Sequence, residues 1–259
     1  MTPTHLAAEK RSRQQVLAEL PETEAHLVKI LNRLRYITDV PLDHARLLDI
    51  GAAQGLVLIA GGRLGLKAVG IEPYAPAREV AQELARDLGV KIDIRPGAAE
   101  AIGMAEGSFD IVHASSVLEH VHDPQQTLHQ AYRVLRPGGV LWFCTTNRLC
   151  PHQQEIAVFP CFSWYPNRLK RTIMHWAVRD RPKWVGGTQT PAMHWFTPAK
   201  VHRMLREAGF RLIYDRWDLR RPEEGGRTHR LGLRLIRGIG AVRLLAEMCV
   251  PGSSYAAVK

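Results

Sequence analysis

At 259 residues, with 46% hydrophobic and 23% charged residues, the chain has ordinary folded composition and room for one large α/β domain with a decorated second part. No run of 18 apolar residues occurs, and the first 20 residues carry charge where a secretory leader would be apolar, so a cytoplasmic location is the expectation. The net charge of +10 is uneven: residues 1–149 hold 16 Lys/Arg against 17 Asp/Glu, whereas residues 150–259 hold 19 against 8. An anionic partner would therefore meet the second part.

Residues 5–36 read as helix, with Leu17, Leu20, Leu27, Ile30, Leu31 and Leu34 near helical spacing, and Pro21 splits them into two expected helices. After Pro41 the pattern alternates. Strands are expected at Arg46–Ile50, Lys67–Glu72, Val90–Ile94, Phe109–Ala114 and Val140–Thr145. Helices fall between them at Gly55–Leu64, Pro76–Leu88 and from Asp123-Pro124 to Leu135, the last opened by an N-cap carboxylate and a first-turn proline. Such alternation predicts right-handed crossovers and a doubly wound, mostly parallel sheet, with ligands bound beyond the carboxyl ends of its strands.

Beyond residue 150 the alternation stops. A basic helix is expected at Asn167–Val178, a capped helix at Thr197–Gly209, a strand at Arg211–Trp217, a basic amphipathic helix at Leu231–Met248 and a closing strand at Ser253–Val258. The stretches Trp164–Trp184 and Leu231–Met248 interleave cations with apolar residues. That pattern fits helices lying on an anionic membrane surface, a cover over a lipid-like substrate, or helices packed on the core with solvated arginines. The predicted organisation is a helical cap over 1–40, a cofactor core over 41–149, and a basic substrate region over 150–259. Cys144, Cys150, Cys161 and Cys249 are scattered without a CxxC pair, so reduced thiols are expected rather than a zinc site or disulfides.

The loop after the first strand reads Asp49-Ile50-Gly51-Ala52-Ala53-Gln54-Gly55. Small residues let a backbone turn sharply and approach a ligand, and the following helix offers unbonded N–H groups. Glu72 ends the second strand, where a carboxylate can accept both hydroxyls of a ribose. Nicotinamide proteins use the same two devices, so by themselves they leave the cofactor open.

Residues 97–147 narrow it. Gly97, Ala99 and Glu100, then Ser108 to Asp110, Val117 to Val121, Asp123-Pro124, Arg133 to Gly139, and Thr145 with Asn147 occur in the order and spacing of the type 11 branch of class I S-adenosylmethionine-dependent methyltransferases. The resemblance spans about residues 40–150. It is fainter at His194 to Pro198, Glu207 to Phe210 and Tyr255 to Lys259. It implies a Rossmann-like, seven-stranded sheet and S-adenosylmethionine as cofactor, leaving as S-adenosylhomocysteine. By that resemblance Asp49, Gly51, Ala53 and Gly55 shape the methionine pocket. Glu72 holds the ribose, Ala98, Ala99 and Glu100 flank the adenine, and Ser115 lies near the sulfonium.

Two residues depart from the family. Ala53 replaces the middle glycine of the first loop, which is tolerable only at negative φ, and Ala98 replaces the adenine-side aspartate at the loss of one polar contact. The segment Ile30 to Ile37 resembles the ubiquinone-biosynthesis O-methyltransferases, which makes Arg35 a candidate for the methionine carboxylate. In that subfamily a Glu-x-x-Glu-His run can bind a divalent metal; here Ser116-Val117-Leu118-Glu119-His120 lacks the first carboxylate, and no metal is expected.

Methyl transfer is an in-line displacement whose leaving group needs no proton, so the enzyme aligns the nucleophile, excludes water and, for a hydroxyl, supplies a base. His120 and His194 are the candidates, because imidazole titrates near neutrality. The expected acceptor is a hydrophobic, small or lipid-linked molecule. A nucleic-acid methyltransferase is the competing enzyme reading, motivated by the basic half, but strand four lacks the Asn/Asp-Pro-Pro-aromatic run that grips an exocyclic amine. A binding protein that keeps the fold without the chemistry is the non-catalytic reading.

Overall fold

The structure is a computed structural model describing residues 13–153, 155–156, 158–185 and 190–259. The helix expected from residue 5 therefore lies partly outside the described residues. From Arg13 it runs unbroken to Leu34 (α1) straight through Pro21, where two helices were expected. Pro21 is exposed and removes one backbone hydrogen bond from the helix. Meanwhile Val16, Leu20, Leu27, Ile30, Leu31 and Leu34 are buried and pin both halves to the sheet.

The core follows as β1 (Arg46–Ile50), α2 (Leu56–Arg63), β2 (Lys67–Ile71), α3 (Ala75–Asp87), β3 (Asp93–Arg95), β4 (Phe109–Ser115), α4 (Pro124–Val134) and β5 (Leu135–Thr146). Asp123 caps α4 as its sequence implies, its side chain accepting the Gln126 amide at 3.0 Å. Then come α5 (Asn167–Asp180), α6 (Pro198–Glu207), β6 (Leu212–Asp215), α7 (Arg216–Leu219), α8 (Arg227–Gly238), α9 (Gly240–Met248) and β7 (Gly252–Val258). The seven strands form one Rossmann-like sheet in the order β3-β2-β1-β4-β5-β7-β6, parallel except for β7, which runs antiparallel to both neighbours.

Four expected elements differ in their bounds, the first being β5, which begins at Leu135, paired with Phe109, where a turn at Arg136–Gly139 and a start at Val140 are expected. β3 keeps three residues, because only Asp93 to Arg95 pair with β2. β6 stops at Asp215, whose carboxylate accepts the amides of Trp217 and Asp218 while Asp218 answers the Asp215 amide, a capping box that starts α7 in place of two further strand residues. The helix expected over Leu231–Met248 is two helices, broken at Ile239, whose backbone is extended (φ −124°, ψ 110°) between two glycines.

Alternation along the strands sorts side chains between two layers. Leu48, Ile50, Val112, Ala114, Leu141 and Phe143 face the side covered by α4 and α6. Leu47, Ile111, Val140, Trp142 and Ala256 face α1 to α3. A third cluster lies outside the sheet: Phe162, Met174, Ala177, Val185, Ala192 and Trp195 pack together in the segment that leads through α5 and back towards α6. The base of β5 is tied by Glu247, which accepts from Trp217 Nε1 (2.6 Å), Ser253 (3.1 Å) and Asn147 (3.2 Å), so Asn147 of the Thr-x-Asn pattern braces β5 against α9. Among the described residues no helix is long and apolar enough to cross a membrane.

Candidate active site

β1 ends where the chain must turn back into α2, and two residues make the turn. Gly51 (φ +70°) and Gly55 (φ +74°) occupy the left-handed region, and a Cβ on either would lie 2.8 Å from Val117 or Ala81. Between them Ala53 also sits at positive φ, +45°, where the sequence called for a negative value. It is held there by Glu72, whose Oε2 accepts the Ala53 amide at 2.9 Å while Oε1 accepts the Tyr74 amide at 2.9 Å. The left-handed alanine costs about 1 kcal/mol. In return the end of β2 and the turn form one rigid edge.

The turn opens on a cleft of about 640 Å³ between itself and α1, whose lining does not include Gly55, Glu72, Ala98, Ala99 or Glu100. Asp49, Gly51, Ala53 and Ser115 line it together. So do Leu56 and Val57, at the start of a helix whose N-cap, Gly55, supplies no side-chain cap. Unbonded first-turn amides at that position attract a carboxylate. From α1 the cleft receives Glu22, His26 and Lys29. Arg35 is elsewhere: it is exposed, donating to Asn32 at 2.9 Å and Asp43 at 2.7 Å, and is not a cleft residue.

Asp49 pairs in register with His113 on β4, and His113 with Trp142 on β5, so all three project to the α1 side. His113 Nδ1 meets Asp49 Oδ1 at 2.6 Å, and its ring stacks on Trp142 at 4.9 Å. His26 approaches the same indole edge-on at 5.7 Å. Burial, then the neighbouring His113, Arg33 and Lys29, holds the His26 imidazole below its ordinary pKa.

Of the adenine-side residues, Ala98 is exposed and Ala99 buried, while the Glu100 carboxylate accepts the His122 amide at 2.8 Å and fastens the loop before α4. At the end of β4, Ser115 and Ser116 are exposed, and Ser115 Oγ lies 3.1 Å from Cys144 Sγ. Behind them Glu119 is buried. Desolvation pushes its pKa to about 7, against hydrogen bonds that include one from Thr145 Oγ1 at 2.9 Å. Burial also lowers the pKa of His120, and its Nδ1 has no hydrogen-bond partner among the described residues. His194 is shifted the same way by burial, but its Nε2 is engaged with the Val121 carbonyl at 3.0 Å. Across from these, Lys170 is buried in the third cluster, donating to the Ser163 carbonyl at 3.0 Å with Nζ 4.2 Å from the Trp195 ring centroid; desolvation brings it down to about 7.

The sequence pattern by itself does not mark His26, Lys29 or His113 as site residues. For His113 a signal existed, a histidine interrupting the apolar run Phe109–Ala114. For His26 and Lys29 none did, because which face of α1 meets the turn is a tertiary fact.

The sheet order, the glycine turn and the carboxylate at the end of β2 define a nucleoside-binding methyltransferase fold. A methyltransferase-domain family model matches residues 16–215, and the chain belongs to that family of S-adenosylmethionine-dependent enzymes. The ubiquinone biosynthesis O-methyltransferase of Ruegeria pomeroyi is 32% identical over 172 residues, covering 66% of this chain and 62% of the relative. That of Azorhizobium caulinodans is 31% identical over 66% and 61%. The chain thus spans rather less than two thirds of these relatives' length. Among solved structures, an S-adenosylmethionine-dependent methyltransferase from Mesorhizobium loti superposes with a TM-score of 0.57 at 16% identity, over 89% of this chain and 98% of the other. Haemonchus contortus phosphoethanolamine N-methyltransferase 2, solved with S-adenosylhomocysteine, gives 0.56 at 17% identity over 88% and 52%. These two likenesses concern the fold. The cleft's volume, turn and first-turn amides suit S-adenosylmethionine, the cofactor of the family.

Proposed function

We propose that this chain transfers a methyl group from S-adenosylmethionine to a hydroxyl oxygen of a hydrophobic, small or lipid-linked acceptor. The cofactor, when bound, supplies an electrophilic methyl on a sulfonium. Asp49, Gly51, Ala53 and Gly55 would hold its methionine end, with Lys29 of α1 facing the carboxylate. Glu72 would take the ribose through the lone pairs its two amide bonds leave free, and Ala98, Ala99 and Glu100 would border the adenine. Ser115 stands at the lip where the methyl would emerge.

The observation that carries the oxygen acceptor is the group just past β4. His120, whose imidazole pKa is lowered by burial against backbone hydrogen bonds at Pro191 and Thr190, and whose buried Nδ1 has no partner among the described residues, would take the hydroxyl proton as the oxygen attacks. His194, whose Nε2 is already bonded to Val121, is better suited to positioning the segment before α6. The names of the relatives support a hydrophobic acceptor, whereas the apolar cluster around Phe162 and Trp195 is buried and braces the segment that carries His194.

Two measurements test the reading. Calorimetry with S-adenosylhomocysteine should show binding; no heat would remove the cofactor assignment. Incubation with methyl-labelled S-adenosylmethionine and a panel of hydrophobic phenols should place label on oxygen by mass spectrometry, and His120→Ala should lower the rate about 100-fold. Label found solely on nitrogen or on nucleic acid would sink the oxygen acceptor.

A further inference from the structure

The two basic amphipathic stretches of the second half meet different fates. α5 turns Met174 and Ala177 into the cluster of Phe162 and Trp195, so its apolar side is used within the molecule. In α8 only Leu233 is buried. Leu231, Leu235, Ile239, Leu244 and Leu245 stand 44% to 62% exposed, five of the thirteen large exposed apolar side chains among the described residues, gathered on two helices that pack against each other. At about 3.6 residues per turn, Leu231 and Leu235 share the face opposite Leu233, with Arg227 and Arg234 on one flank.

The charge around this ridge has one sign. From Gly225 to Ala246 there are five arginines and no Asp or Glu. Arg237 donates to the carbonyls of Trp217 and Arg220, and Arg243 pairs with Asp215 and Asp218, so these two brace the helices against α7. Arg227, Arg230 and Arg234 make no ion pair among the described residues.

We infer that α8 and α9 form a docking face for an anionic lipid bilayer, the leucine ridge entering the headgroup boundary while Arg227, Arg230 and Arg234 meet lipid phosphates. An apolar ridge beside unpaired arginines suits a surface that is oily and negative at once. A nucleic acid would engage the arginines and leave the leucines in water. The inference uses residues outside the cleft beside the turn at 51–55.

Flotation of the full chain with phosphatidylcholine vesicles, with and without phosphatidylglycerol, tests it at low salt. The wild type should float only with the anionic vesicles. Leu231→Ser/Leu235→Ser should lose flotation, and each of Arg227→Gln and Arg234→Gln should weaken partitioning roughly fivefold. All variants should keep wild-type affinity for S-adenosylhomocysteine, which shows that the fold is intact. The docking face is overturned if the wild type stays at the bottom of the gradient, if the leucine variant floats like wild type, or if the chain binds RNA or DNA columns in a salt-dependent way without floating. A chain that binds S-adenosylhomocysteine but does not float loses only the docking face; one that floats but binds no nucleoside loses only the methyltransferase reading.

Discussion

Ala53 shows how a residue can look like a defect in sequence and prove to be held in place. Its left-handed backbone is imposed by glycine turns on both sides and by the Glu72 carboxylate on its amide. Ala53→Gly should therefore stabilise the chain by about 0.5 kcal/mol, the relief of the left-handed alanine less the larger unfolded-state entropy of glycine. Thermal unfolding should show a rise of about 1 °C, and a fall would mean that the turn is relaxed with alanine. Glu119 makes a pH-dependent contribution. Burial raises its folded pKa to about 7 from 4.5, so the folded state binds the proton more tightly. The stabilisation is complete below pH 4.5 and lost as pH rises through 7. Relative to Glu119→Gln, the wild type should lose roughly 3 kcal/mol across that window in denaturant titrations; parallel curves would show that Glu119 is hydrated.

At the scale of elements, α1 is the piece that completes the cleft beside the turn at 51–55. It is anchored by its buried stripe, and that anchoring fixes which cation faces the turn: Lys29, three residues after His26, with Arg35 turned out to Asp43. Lys29→Gln should weaken S-adenosylmethionine binding about tenfold by calorimetry, as expected for the loss of a charged partner, while Arg35→Gln leaves it unchanged. The reverse ranking would mean that α1 shifts when the cofactor enters. The Asp49–His113–Trp142 row belongs to this scale too. No one of the three strands suggests it, and the parallel register of β1, β4 and β5 creates it.

For the whole molecule, the sheet joins both halves of the chain. β7, near the C-terminus, is wedged between β5 and β6, and the Lys259 amide donates to the Gly139 carbonyl at 3.0 Å. The turn at 51–55 and the basic second half are thus joined through one sheet, which predicts a single unfolding transition. S-adenosylhomocysteine at about 100 times its Kd should stabilise the chain by about 2.7 kcal/mol, raising Tm by about 5 °C in a single transition. A two-step melt in which only one step responds would show that the second half unfolds separately.

The alternation of strands and helices, the turn at 51–55, the capped start of α4 and the family motifs were all legible in the chain, because each depends on neighbours within a few residues. Whether Pro21 breaks a helix, which cation of α1 lines the cleft, why Ala53 tolerates positive φ and which basic helix keeps its leucines in water were not. Those outcomes turn on contacts between residues distant along the chain: a buried stripe outweighing a missing hydrogen bond, a carboxylate on one strand fixing the turn after another, and the third cluster covering α5 but not α8.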